Sequence, residues 1–153
     1  MKRNILIVDD EEFILENLKY LLEEFADEVY TALDGQAGLD IINSKEVLCV
    51  ISDINMPIMN GIEFIKSVRE MGNNTPFIFF TAQGNRELML EAVKFGAFDF
   101  IDKPNFDGLE DVVVRGMNEG FSLKNDMGAI EKSTDIIANE YQDLLSQLNE
   151  TSI

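Results

Sequence analysis

The chain contains no histidine and no tryptophan, and it has one cysteine and three prolines among its 153 residues. Without histidine there can be no His-dependent catalytic triad, no imidazole metal ligand and no internal phosphohistidine step. The single thiol, Cys49, excludes an internal disulfide, and its place inside an apolar run points to a reduced, cytoplasmic chain. Basic residues are scarce too: 12 Lys and Arg against 29 Asp and Glu give a formal net charge of -17. This argues against direct contact with nucleic acid or an anionic membrane, because a polyanion would be approaching a polyanion. No apolar run reaches membrane-spanning length, and Met1-Lys2-Arg3 leads into an apolar stretch too short for a signal peptide.

The length fits one domain with one appended element. Short apolar, β-rich runs alternate with amphipathic stretches. Strands are expected at Ile5 to Val8, Glu28 to Ala32, Val47 to Ser52, Phe77 to Phe80 and Ala97 to Ile101. Between them, Ile14, Leu18, Leu21, Leu22 and Phe25 form one helical face, and Asp34-Gly35 marks a turn before a short helix carrying Ala37, Leu39, Ile41 and Ile42. Further helices follow Gly61, span roughly Asn85 to Phe95, and start near Asp107 with Leu109, Val112, Val113 and Met117 facing inward. Five strand-then-helix units predict an α/β fold, a parallel sheet with helices on both faces. Strands covered on both faces read as continuous apolar runs, and Val47 to Ser52 is of that kind.

Strand ends of such a sheet gather on one rim. That rim receives Asp9, Asp10, Asp53, Thr81 and Lys103, each at or just beyond the carboxyl end of its strand. Taken alone, Asp53 is a polar strand terminus entering a turn; four strands delivering polar groups to one edge is a different matter. Carboxylates held about 5 Å apart repel by roughly 3 kcal/mol per pair at an effective dielectric near 20, so the cluster wants a cation or a proton. With no sulfur or imidazole at hand, an all-oxygen site suits Mg²⁺. Thr81 supplies a hydroxyl donor and Lys103 a mobile positive charge, both suited to phosphoryl oxygens, and an aspartate is an established nucleophile towards phosphorus.

The segments VDDEE (Val8 to Glu12), DINMPIMNG (Asp53 to Gly61), Thr81-Ala82 and DKP (Asp102 to Pro104) occur in this order along the chain. By them, the chain from about Asn4 to Phe121 resembles the receiver domain of bacterial two-component response regulators. The resemblance implies a doubly wound, flavodoxin-like, five-stranded sheet of order 2-1-3-4-5. It implies Asp53 as phosphoacceptor, charged by a sensor histidine kinase, a phosphotransfer protein or a small donor. Asp10 would bind Mg²⁺ directly and Asp9 mainly through water, together with Asp53 and the backbone carbonyl of Asn55. Thr81 would hydrogen-bond the phosphoryl oxygen and Lys103 would pair with it. Phe100 falls at the family's switch aromatic, where a plain core position is the other reading, and it lacks the hydroxyl of the more frequent tyrosine. The Lys103–Pro104 bond matches one that is cis in the family. Asn55 and Gln83 occupy positions that influence how long the phosphoryl group persists.

Residues 122–153 form a second region beyond the receiver at 1–121. Leu123, Met127, Ile130, Thr134, Ile137, Tyr141, Leu144 and Leu148 alternate spacings of four and three, a heptad seam with one polar position. A helix cannot bury that stripe alone: a second copy of the chain, the receiver's own surface or a partner must cover it. Gly116, Gly120 and Gly128 each cost about 1 kcal/mol in helix propensity, which predicts a bend or joint on the approach. The stretch is too short for a helix-turn-helix module and carries only Lys124 and Lys132 as basic residues.

These readings describe a phosphorylation-controlled switch that catalyses at most its own phosphorylation and dephosphorylation and signals through contacts with a downstream protein. One alternative is the receiver and linker of a longer regulator. Another is an aspartyl-phosphate phosphatase of the haloacid dehalogenase type, but that family wants an Asp two residues after the nucleophile, where this chain has Asn55.

Overall fold

The structure, a computed structural model, describes residues 2–82, 86–103 and 107–151. Five strands alternate with five helices: β1 Asn4–Val8, α1 Glu12–Leu22, β2 Glu28–Ala32, α2 Gly35–Ser44, β3 Cys49–Ser52, α3 Gly61–Glu70, β4 Phe77–Thr81, α4 Arg86–Lys94, β5 Asp99–Asp102 and α5 Leu109–Thr151. The sheet is parallel throughout, in the order β2-β1-β3-β4-β5, as the resemblance implied. Among the described residues, no helix is long and apolar enough to cross a membrane.

The apolar strands carry two cores at once. Ile5, Ile7, Cys49, Ile51, Ile78 and Phe80 face α1 and α5, packing with Leu15, Leu18, Leu22, Val113 and Met117. Leu6, Val8, Val50, Phe77 and Phe79 face the opposite side, with Phe64, Ile65 and Val68 of α3 and Ala92 of α4. Alternate residues of one strand therefore serve different layers, which is why these runs show no polar alternation.

Several boundaries differ from expectation. The β3 ladder starts at Cys49, although Val47 and Leu48 are buried and the Leu48 N–H donates to the Asn4 carbonyl at 2.8 Å. The last strand begins at Asp99, later than Ala97, and takes in Asp102. Helix α1 stops at Leu22; Phe25 follows in a turn, and Leu15, absent from the expected face, is buried. Asp34 is a helix cap and no mere turn, its carboxylate accepting the Ala37 N–H at 2.9 Å. Gly116 and Gly120 do not end α5: they lie where it meets the sheet. A Cβ at Gly116 would come 2.8 Å from the Cys49 sulfur, and one at Gly120 would strike the Leu48 carbonyl.

By packing, the chain divides into two units, Met1–Phe121 and Ser122–Ile153. In the second, Tyr141 and Leu144 are exposed. The side chains of Met127, Ile130, Thr134, Ile137 and Leu148 lie outside the described residues.

Candidate phosphoacceptor site

Asp9 directly follows β1, Asp53 follows β3, Thr81 closes β4 and Lys103 follows β5, so the parallel arrangement brings four strand ends to one rim. Asp9 is 1% exposed and Asp53 7%, whereas Asp10 is exposed. One carboxylate oxygen from each of the three lies within 4.8 Å of the others. Charge-bearing oxygens without sulfur or nitrogen ligands fit a hard divalent cation, and the cluster is compatible with Mg²⁺ in that sense.

Lys103 sits among them. Its Nζ donates to Asp9 Oδ2 at 2.6 Å and to Asp53 Oδ2 at 2.9 Å, and lies 5.8 Å from the centre of the Phe80 ring. The ammonium read from sequence as mobile is thus shared by two carboxylates. Burial alone would lower its pKa, but the hydrogen bonds it donates to Asp9 and Asp53 raise it above the ordinary lysine value. For Asp9, burial raises the pKa more than the Lys103 contact and the Glu11 N–H (2.9 Å) lower it. One cation divided between two buried anions leaves Asp9 undercompensated.

Asp53 is anchored on all sides. Its N–H donates to the Val8 carbonyl at 2.9 Å, the Ile54 N–H donates to its Oδ1 at 2.7 Å, Lys103 holds Oδ2, and its own carbonyl accepts the Ser52 hydroxyl at 2.8 Å. The chain then turns sharply. Met59 N–H donates to the Pro57 carbonyl at 2.7 Å around Ile58, which has φ 69° and is 81% exposed. This is a γ-turn centred on a β-branched residue, a conformation costing about 1–3 kcal/mol. Neighbouring contacts hold it. Gly35 N–H donates to the Met59 carbonyl at 3.1 Å, Gly61 N–H to the Ile54 carbonyl at 2.8 Å, and Asn60 and Glu63 form a capping box for α3. Both glycines are obligatory: a Cβ at Gly35 would meet the Met59 oxygen at 2.6 Å, and one at Gly61 would strike the Asp53 carbonyl.

Asn55 is exposed in this loop, two residues from Asp53. Phe100 is half-buried in β5 and stacks on Phe79, with centroids 5.8 Å apart and ring planes at 22°. The Thr81 side chain, Gln83 and Pro104 lie outside the described residues; the Thr81 backbone pairs with Asp102. Tyr141 and Leu144 belong to the second unit. Sequence reasoning missed Ser52, the Ile54 amide and the Met59–Gly35 clasp. Only Ser52 left a trace, as the one hydroxyl in the apolar run before Asp53.

The model of the response regulator receiver domain matches residues 5–114. The chain is 35% identical over 103 residues to the transcriptional regulatory protein FixJ of Bradyrhizobium diazoefficiens, covering 67% of this chain and 50% of FixJ. It is 36% identical over 104 residues to the transcriptional regulatory protein SrrA of Staphylococcus aureus, covering 68% and 43%. The chain therefore spans half or less of the length of these relatives. Among solved structures, a response regulator receiver domain protein from Clostridium thermocellum superposes with a TM-score of 0.72 at 31% identity, covering 79% of this chain and 98% of that one. A family match running through all five strands, and a fold shared nearly end to end with a solved member, make this chain a member of the response regulator receiver domain family.

Proposed function

We propose that Asp53 is the residue that carries the phosphoryl group. Receiver domains are phosphorylated by histidine kinases or phosphotransfer proteins, and here the supporting observation is a nearly buried carboxylate at the end of a central strand, ringed by Asp9, Asp10 and Lys103. An Asp53 oxygen attacks phosphorus as the donor's P–N bond, or the P–O bond of a small acyl phosphate, breaks and its electron pair leaves with the donor. Water later cleaves the acyl phosphate and regenerates the carboxylate. Asp10 would hold Mg²⁺ directly and Asp9 mainly through water, with Asp53 and the Asn55 carbonyl completing the protein's share. The ion would supply positive charge that offsets the carboxylates and the incoming phosphoryl group. Lys103 and Thr81 serve the phosphoryl oxygens, and Phe100 carries the change of state into the β5 surface. We read 1–121 as the receiver and 122–153 as a helix whose seam pairs with a second copy or a downstream protein, in a cytoplasmic setting.

Incubation with acetyl phosphate and Mg²⁺, followed by intact-mass spectrometry, tests this. One phosphoryl group should appear on the parent and none on Asp53→Asn, and chelation with EDTA should abolish labelling. Equal labelling of Asp53→Asn would remove the assignment. Light scattering with and without beryllofluoride, on the full chain and on one ending at Phe121, then separates a tail-borne dimer from a phosphorylation-dependent one.

A further inference from the structure

Ser52 is the last residue of β3 and is 1% exposed, between Val8 of β1 and Phe79 of β4 in the ladder. A buried hydroxyl costs about 1–3 kcal/mol unless it finds a partner. Here the partner is the carbonyl of Asp53, at 2.8 Å. That oxygen is also closed in by Gly61, where a Cβ would strike it. The peptide joining Asp53 to Ile54 is planar, so fixing its C=O fixes its N–H on the opposite side. That same N–H donates to Asp53 Oδ1 at 2.7 Å. Together with Asp53 N–H on the Val8 carbonyl at 2.9 Å, this holds both the backbone and the carboxylate of one residue.

We infer that Ser52 is a positioning residue for the Asp53 carboxylate, acting through a single peptide plane. Its hydroxyl keeps the Ile54 N–H on Oδ1, and this fixes the carboxylate orientation in which Oδ2 faces Lys103. The inference rests on the reading of Asp53 as phosphoacceptor. An attacking carboxylate held in one orientation reacts faster than one that swings, and the gain falls on the chemical step rather than on donor binding.

The test compares Ser52→Thr with Ser52→Val, which have nearly the same shape and differ in the hydroxyl, alongside Ser52→Ala. At saturating acetyl phosphate with Mg²⁺, Ser52→Thr should react within about twofold of the parent, and Ser52→Val and Ser52→Ala about tenfold slower, the loss of one hydrogen bond's alignment. The half-saturating donor concentration should stay the same in all three. In EDTA, hydrogen exchange at the Ile54 amide should be protected in the parent and Ser52→Thr and faster in Ser52→Val and Ser52→Ala, a readout independent of phosphorylation. Equal rates and equal Ile54 exchange in the Thr and Val variants would overturn the inference while leaving Asp53 in its role. A parent that never labels would instead remove the phosphoacceptor reading itself.

Discussion

Lys103 bridges two carboxylates that are each almost wholly buried, and for Asp9 this shared contact does not fully offset the cost of leaving water. Because burial holds the Asp9 pKa above its ordinary 3.8, the charged form of Asp9 is disfavoured by folding. As pH falls through its raised value, the folded state takes up this proton before the unfolded state does, and the molecule gains stability from this residue. Asp9→Asn should accordingly raise the unfolding midpoint at neutral pH, measured by circular dichroism, while costing about tenfold to a hundredfold in Mg²⁺ affinity by calorimetry. Lys103 behaves in the opposite sense. Its folded pKa lies above its ordinary 10.5, so its contribution is complete below that value and is lost as pH rises through the higher one. Unfolding midpoints should therefore decline in strongly alkaline buffer, and Lys103→Met should remove that part of the decline. The candidate cluster itself was legible at this scale, since Asp9, Asp10, Asp53, Thr81 and Lys103 all stand at strand ends in a chain whose strands announce themselves. The sharing of one ammonium by two carboxylates was not legible, because sequence spacing does not say where a flexible lysine comes to rest.

Among the elements, the junction of α3 and α4 depends on Arg69. From the last turn of α3, its guanidinium donates to the carbonyls of Asn73 (2.9 Å), Thr75 (2.9 Å) and Phe95 (2.8 Å), and its carbon lies 5.4 Å from the Phe77 ring centre. The Phe95 carbonyl belongs to the turn that ends α4, where the helix dipole is negative, and those of Asn73 and Thr75 lie in the stretch that joins α3 to β4. Burial lowers the pKa of the guanidinium without threatening its charge. Arg69→Met strips these carbonyls, and that of Gly96 at 3.5 Å, of a donor and should destabilise the fold by about 3 kcal/mol in urea titration. The sequence predicts a helix after Gly61, which takes in Arg69, but its periodicity has no means of seeing the acceptors of that side chain, which are backbone groups. The same blindness explains the glycines of α5: helix propensity counts Gly116 and Gly120 as weak points, whereas the packing uses their missing side chains to bring α5 against Cys49 and Leu48. It also explains Ile58, since nothing in its chemistry favours a positive φ and only the surrounding Met59–Gly35 and Asn60 contacts impose it.

For the molecule as a whole, strand order reverses beside β1, whose neighbours are β2 and β3, and the acidic rim lies at the carboxyl ends there, the usual place for a ligand in an open α/β sheet. A chain of net charge -17 that concentrates three carboxylates at one point should be stabilised by a divalent ion bound only to the folded state. Mg²⁺ at about a hundred times its dissociation constant should add roughly 2.7 kcal/mol to unfolding. Asp10→Asn should blunt that response in a thermal melt. A gain of equal size from the same ionic strength of NaCl would assign it to screening alone.

Cys49 lies in the middle of the sheet with no exposed surface, walled by Gly116, and burial drives its thiol pKa upward. The thiolate is the reactive form, so the folded protein should be silent to maleimides and to mild oxidants. Any cysteine placed on the surface therefore carries a fluorophore or spin label alone, without first removing the native one. A label at Tyr141→Cys would report on the helix of the second unit in the otherwise native chain, and the same silence makes modification of Cys49 a direct clock for global unfolding.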